Sequence, residues 1–417
     1  MENTNKKSPF NLVVLVAALG YFVDIFDLQL FNIVSKSSLR GIGITDTNVL
    51  ERYDYLLFLW QMGGMLAGGL VWGILGDRKG RKSVLFGSIL LYSIANIANA
   101  FVVNLDQYVV VRFLAGLGLA GELGAAITLV SEIMHKENRG YGTMLIVTMG
   151  ALGAVAAGLL SKVTTPVFGL DPWQFSYVTG GVLGLLLLAL RVGTYESGMF
   201  DKLKKDTLVR RGDFFLLFRT RDKFLRYLAS ICIGLPVWFC IGILIKFALH
   251  FAELNGVAGS PEMGMVIMWT YVGLSSGDLL SGILSQVFRS RKKVIFGYLI
   301  ATCILVVYYL FKQNISTSSF YFLCFLIGFA TGYWALFVSV AAEQFGTNIR
   351  ATVTTTVPNF VRGAVIPITL SYKYVETMIG SVGSALLVGS VCMGLALWGT
   401  AYVRETFATE LDFHEHA

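Results

Sequence analysis

Asp24, Asp27, Arg112 and Glu122 in the first half of the chain, and Lys246, Asp278 and Arg362 in the second, all sit inside long apolar stretches. A charge at mid-bilayer costs roughly 2.5 to 3.5 kcal/mol on insertion scales, so each should face an interior cavity or a partner. Asp24 and Asp27 are three residues apart, hence about 60° apart around a helix, and share one environment. Two carboxylates this close repel when both are ionised, and desolvation penalises the charge further, so such a pair readily holds a proton. Asp24, Asp27 and Glu122 are therefore candidates for proton coupling. Arg112, Lys246, Asp278, Asn359 and Arg362 are candidates for binding a small polar or anionic solute. The plainer expectation for the acids is closed ion pairs, Asp278 with Arg362 or Glu122 with Arg112. No nucleophile, metal cluster or phosphate loop stands out, and the tail histidines His414 and His416 are too few for a metal site. The expectation is no cofactor, no metal and no enzymatic activity.

These residues need an apolar scaffold to hold them. The 417 residues are 55% hydrophobic and only 14% charged, with mean hydropathy +0.68. That composition excludes disorder, collagen, coiled coil and a disulfide-stapled module. Cys232, Cys240, Cys303, Cys324 and Cys392 lie in apolar stretches without C-x-x-C spacing and read as small hydrophobes. A hydrocarbon core of roughly 30 Å takes about 20 apolar residues per helix. Twelve stretches meet that length: 11–35, 53–75, 83–103, 107–130, 142–161, 173–193, 224–250, 263–288, 293–312, 319–342, 352–376 and 380–403. The chain should be all-α, a polytopic membrane protein of twelve transmembrane helices.

Of the 33 Lys and Arg, six fall on one side of these spans (Lys36, Arg40, Arg52, Lys162, Lys312, Lys373) and three within them (Arg112, Lys246, Arg362). The remaining 24 share the other side with both termini, which the positive-inside rule makes cytoplasmic. The net charge of +7 is thus topological and calls for no nucleic acid. The apolar run after Lys6 and Lys7 is too long for a signal-peptide core and should be retained. A multi-pass monomer of the cell membrane is expected, whose partners are lipid, protons and a small-molecule substrate.

The longest polar insertion, Arg191 to Arg226, divides the chain into residues 1–193, a central cytoplasmic loop at 194–223, and residues 224–417. Gly64, Gly68 and Gly73 recur as Gly273, Gly277 and Gly282, each offset by 209; Arg81 recurs as Arg291, offset by 210; Glu132 and Arg139 recur as Glu343 and Arg350, offset by 211. Offsets so constant indicate duplication of a six-span unit. Six spans return the chain to its starting side, so the copies are parallel repeats.

After the second span, Gly73, Asp77, Arg78, Gly80, Arg81 and Lys82 stand in the register G-x-x-x-D-R-x-G-R-[RK]. With the twelve spans, the central loop and Arg112 ahead of Gly116 and Gly118, the chain resembles the major facilitator superfamily. The resemblance implies two pseudo-symmetric six-helix bundles that rock about a central site. It also implies a cytoplasmic latch stabilising the outward-open state: Asp77, Arg78, Arg81, Glu132 and Arg139 in one half, Arg291, Glu343 and Arg350 in the other. Ser285 and Gln286 replace Gly76 and Asp77 in the second copy, so that half of the latch should be weaker. Gly116, Gly118 and Gly121 also fit G-x-G-x-x-G, but with no preceding strand they read as helix-packing glycines.

Asp24-Ile25-Phe26-Asp27 looks like the D-G-[FY]-D pattern of aromatic-acid and metabolite proton symporters, with Ile25 in place of glycine. The expectation is a proton-coupled importer of a small organic anion working by alternating access. Arg362, with Lys246 or Arg112, would attract the negative group. A sugar or polyol porter using Gln61, Gln174 and Asn359 is the first alternative; an efflux antiporter or a non-transporting membrane receptor are others. The G-P-x-x-G-G motif of drug antiporters is absent from span five. Trp60, Trp238, Trp269, Tyr333 and Trp334 could stack on a ring, although aromatics in spans more often pack or anchor at the interface.

Overall fold

A computed structural model describes residues 12–134, 139–160, 162–163, 165–191, 212–409, 413 and 415. Spans one to six are the helices Leu12–Gly41, Thr47–Lys79, Arg81–Asn99, Leu105–Ile133, Arg139–Leu160 and Pro172–Leu190. Span seven runs as Arg221–Phe239, a π-helical stretch Cys240–Ile245 and a last helix Ala248–Leu254. Spans eight and nine are Met263–Val287 and Arg291–Phe311. Span ten is two helices, Thr317–Ala330 and Trp334–Glu343. Span eleven begins as Arg350–Gly363, resumes at Val365 and meets span twelve at Gly380, where φ of 74° turns the chain before it runs on to Tyr402. Twelve spans result, and no strand occurs among the described residues, only two isolated bridges.

Side chains start several of these helices: Asp46, Asn104, Ser290 and Ser316 accept from the backbone N–H three residues on, satisfying donors that lack an intrahelical partner. Gly80, at φ 100°, makes the turn between spans two and three that a residue with a Cβ would resist. Pro367 cannot donate to the carbonyl of Gly363, and the helix of span eleven breaks there. Span one runs past the expected residue 35 to Gly41, because apolarity marks only the lipid-crossing part of a helix whose ends are polar.

Two of the three repeat-related glycine pairs do the same work in both halves, whereas Gly73 meets the backbone of Thr352 and Gly282 the side chain of Met144. A Cβ at Gly64 would run into the carbonyl of Phe113, and one at Gly273 into that of Phe325. Gly68 meets Leu117 as Gly277 meets Phe329, and Gly116 meets Gln61 as Gly328 meets Thr270. Spans two and four, and spans eight and ten, thus pack backbone to backbone in matching fashion, which makes the two six-helix bundles pseudo-symmetric. Gly116, Gly118 and Gly121 serve helix packing, against Gln61, Tyr92 and Ser88.

Candidate functional site

The loop charges gather at one end of the molecule, the end carrying the turn after span two and hereafter the basic face. Arg81 donates to Glu132 at 2.7 Å, and its repeat mate Arg291 donates to Glu343 at 2.7 and 2.8 Å. Glu132 also lies 3.5 Å from Arg350, joining span four to span eleven. Asp77 caps span eleven: its oxygens accept from the backbone N–H of Ala351 at 3.0 Å, and from the N–H and hydroxyl of Thr352 at 2.8 and 2.7 Å. A carboxylate at a helix N-terminus is favoured by the exposed amides and the dipole. Gln286, the repeat mate of Asp77, leaves its amide nitrogen without a hydrogen bond. Arg78 is exposed and stays outside this cluster. The side chain of Arg139 lies outside the described residues. Glu405, beyond span twelve, adds an anchor on the same face. Burial works against its ionisation, but hydrogen bonds from Ser290 and the backbone of Arg291, Phe407 and Lys292 outweigh that and hold its carboxyl below the usual range. Its contribution to stability is present at neutral pH and fades as pH falls through that lowered value.

Asp77→Ala leaves two buried backbone donors of span eleven unpaired, at about 1 to 3 kcal/mol each. The variant is expected to open more readily at the basic face, by ~10-fold or more at about 1.4 kcal/mol per decade. The rate at which a cysteine placed at Ala351 reacts with a soluble maleimide reads this. An unchanged rate would remove Asp77 from the latch.

Deeper in the molecule, Arg362 of span eleven forms the centre of a second cluster. Its Nη2 donates to the Tyr21 hydroxyl at 3.1 Å and lies 3.7 Å from Asp24 Oδ2. Its guanidinium carbon stands 5.9 Å from the Trp238 ring and 6.0 Å from the Trp334 ring. Asn359 accepts from Arg362 at 3.5 Å and ties span eleven to span four by donating to the Ala120 carbonyl at 2.8 Å. A cavity of about 20 Å³ lies here, lined by Tyr21, Trp238, Tyr271, Trp334 and Arg362 together with aliphatic residues of spans one, five, seven and eight. That is room for roughly one water, so the two halves are drawn together around the site.

Asp27 is fully buried and its carboxylate makes no hydrogen bond. It abuts Gly180 of span six, where a Cβ would collide with it. Arg112 is equally buried, lies 4.3 Å over the Phe31 ring, and none of its nitrogens makes a hydrogen bond. The expected pairings differ from those found. Glu122 pairs with Arg191 rather than Arg112, at 2.9 Å, and accepts from Ser88 as well. Arg191 opens the polar insertion that runs to Arg226, yet its long side chain folds back into the bundle and is 1% exposed. Asp278 does not reach Arg362. Its Oδ1 accepts from the N–H of Ala335 at 3.0 Å, capping the second helix of span ten immediately beside Trp334. Lys246 pairs with Asp54 of span two at 3.1 Å, beside a further cavity and away from Arg362. Of the five aromatics singled out for stacking, Trp238 and Trp334 reach the cavity, Trp60 and Trp269 point outward, and Tyr333 is buried with its hydroxyl donating to the Ile233 carbonyl.

Tyr21, Tyr271, Asp54 and Arg191 did not stand out in the sequence. Asp54 falls one residue inside the hydropathic stretch 53–75 and there resembles a headgroup residue. Its spacing of seven from Gln61 on the same helix face was the available signal.

Asp278→Leu is expected to lower the thermal midpoint and weaken solute binding, because it uncaps a buried helix end at about 1 to 3 kcal/mol. Asp278→Asn, which retains an accepting oxygen, should restore both. Equal damage from the two variants in a thermal-shift and binding assay would count against capping.

The profile of the Major Facilitator Superfamily matches residues 17–368. The chain belongs to the Major Facilitator Superfamily. It is 30% identical over 412 residues to a protein named putative niacin/nicotinamide transporter NiaP of Bacillus subtilis, covering 95% of this chain and 96% of that one. To the 4-hydroxybenzoate transporter PcaK of Pseudomonas putida it is 34% identical over 205 residues, 46% of this chain and 43% of the other. Among solved structures, the proton:xylose symporter XylE superposes with a TM-score of 0.73 at 15% identity over 96% of this chain and 97% of that one. FucP in its outward conformation gives 0.72 at 15% identity over 96% and 100%. At such identity these two share the fold. The chain is thus a transporter of the superfamily, a membrane protein whose kin are transporters rather than enzymes, and the Arg362 cluster lies where its two bundles meet.

Proposed function

We propose that this superfamily member is a proton-coupled importer of a small aromatic carboxylate, with its basic face and both termini in the cytoplasm. The reading rests on one observation: Arg362 of the second bundle, flanked by Trp238 and Trp334, is neutralised by Asp24 of the first. A guanidinium presents paired donors that match a carboxylate, and indole faces suit a planar ring. Two of the solutes in the names of the relatives, niacin and 4-hydroxybenzoate, are aromatic carboxylates and fit that chemistry, whereas nicotinamide, in the first of those names, is an uncharged amide.

Coupling follows from charge balance. When the carboxylate of the solute takes the guanidinium, Asp24 loses its counter-ion while still buried. A buried unpaired carboxylate is costly, so it takes up a proton. Anion and proton then enter together, and the loaded site carries no more net charge than the empty one. Reorientation therefore moves no extra charge through the membrane field, worth about 2.3 kcal/mol per charge per 100 mV. Asp27, near Asp24 and without a hydrogen bond, relays that same proton to and from Asp24, so one proton still enters with each anion. Glu122 is held by Arg191 and Ser88 and serves as a fixed charge in this scheme. A polyol porter would instead present neutral amides and hydroxyls to its solute.

Counterflow in proteoliposomes tests the reading. Labelled benzoate or nicotinate should exchange against unlabelled acid, and an inward proton gradient should drive accumulation. Exchange of sugars in place of acids, or accumulation blind to the gradient, would overturn it.

A further inference from the structure

Lys246 stands apart from Arg362. It lies near the end of span seven remote from the basic face, where the helix widens into a π-helical stretch and the Lys246 N–H bonds to the Ile241 carbonyl five residues back. Such π-bulges re-aim side chains and recur at functional sites. The Nζ donates to Asp54 Oδ2 at 3.1 Å and sits 5.3 Å from the centre of the Phe58 ring, both on span two of the other bundle. The second oxygen of Asp54 has no hydrogen-bond partner.

Beside this pair lies a second cavity of about 20 Å³, lined by the amides of Gln29 and Asn32, by Phe58 and Trp238, and by Lys246. Trp238 and Ile241 line the Arg362 cavity as well. Between the two cavities Gln29 of span one donates to the Tyr271 hydroxyl of span eight at 2.5 Å. Gln29 lies five residues beyond Asp24 on span one, about 7.5 Å further from the basic face at 1.5 Å per residue. Two cations, each with an aromatic neighbour and each neutralised by an acid of the first bundle, therefore stand in sequence along one route, with the Gln29–Tyr271 hydrogen bond across it.

We infer that Lys246, with the Asn32 amide and the Phe58 and Trp238 rings, forms an outer subsite where an aromatic monocarboxylate first docks by replacing Asp54, before it passes Gln29 and Tyr271 to reach Arg362. This deepens the proposed function and rests on it. The Asp54–Lys246 pair joins the two bundles, so the arriving anion opens the contact that closed the route. An ammonium is a compact point charge on a flexible stem and releases a partner more readily than the forked guanidinium deeper in. That ordering suits a site that hands its guest on.

The two partners of the pair separate a binding role from a latch. Asp54→Asn and Lys246→Gln break the same ion pair and carry the same structural liability. For a mere latch they should change benzoate transport alike. For a docking subsite they should diverge: Asp54→Asn removes the competitor and lowers the KM for benzoate several-fold, whereas Lys246→Gln raises it ~10-fold or more. Lys246→Arg should recover most of the loss. Equilibrium binding of labelled benzoate to the purified full-length variants should follow the same order, and benzamide should not compete at the subsite. Parallel shifts in both variants, or a Lys246→Gln KM equal to wild type, would overturn the subsite while leaving the Arg362 reading intact. A wild-type carrier that neither binds nor exchanges benzoate would overturn that reading itself, and the subsite with it.

Discussion

Arg362→Ala is expected to cost the carrier ~30-fold to several thousand-fold in kcat/KM for an aromatic carboxylate, the equivalent of about 2 to 5 kcal/mol for truncating one side of a buried charge pair. Two effects combine. The solute loses its guanidinium, and Asp24 is left buried without its cation 3.7 Å away. Arg362→Lys should recover only part, because an ammonium cannot offer the paired donors that match a carboxylate. The double variant Arg362→Gln with Asp24→Asn should fold better than Arg362→Ala alone, since removing both charges of a buried pair is far milder than removing one. Initial rates in proteoliposomes over a range of solute concentrations separate the binding loss from slower turnover. Full uptake by Arg362→Ala would move the anion site elsewhere.

The second large effect is expected from the acids of span one. In Asp24→Asn the amide neither competes for Arg362 nor needs a proton when displaced. Its benzoate KM should become nearly independent of external pH, whereas the wild-type KM should rise as external pH rises and the coupling proton becomes scarce. The same variant should lose uphill accumulation under an imposed pH gradient while sparing exchange, whereas Asp27→Asn, which leaves Asp24 facing Arg362, should weaken accumulation without abolishing it. With both replaced, no proton should accompany the solute. Accumulation driven by the gradient in the double variant at wild-type level would end the coupling mechanism. The carboxylates differ in surroundings, which is why they are expected to fail differently. Asp24 faces Arg362 across the bundle interface, whereas Asp27 faces Gly180 and the interior of its own bundle.

A mutant with a broken basic-face latch would complicate these measurements, because the cluster around Asp77, Glu132 and Arg350 holds spans two, four and eleven together. Its readout by labelling at Ala351 needs no solute, so latch and site can be assayed separately.

Twelve apolar stretches and a one-sided distribution of basic residues made the helical class, the span count and the six-plus-six repeat legible from composition and order alone. The reason is that a bilayer imposes length and apolarity on each span individually, without reference to its neighbours. Two of the three matching glycine pairs, Gly64 with Gly273 and Gly68 with Gly277, meet matching carbonyls in the two halves. The charged residues were identifiable as a set for the same reason, since a buried charge is conspicuous in an apolar run. Their partners were not. Pairing depends on which helix faces which and how far a side chain reaches, so Glu122 finds Arg191 at the far end of span six, and Asp278 finds a helix end that exists only because span ten breaks. The same holds for Lys246, aimed at Asp54 across the bundle interface from a widened stretch of span seven. Membrane solvation acts residue by residue and is written in the linear order; ion pairing is a contact between distant segments, and only the packed bundle decides it.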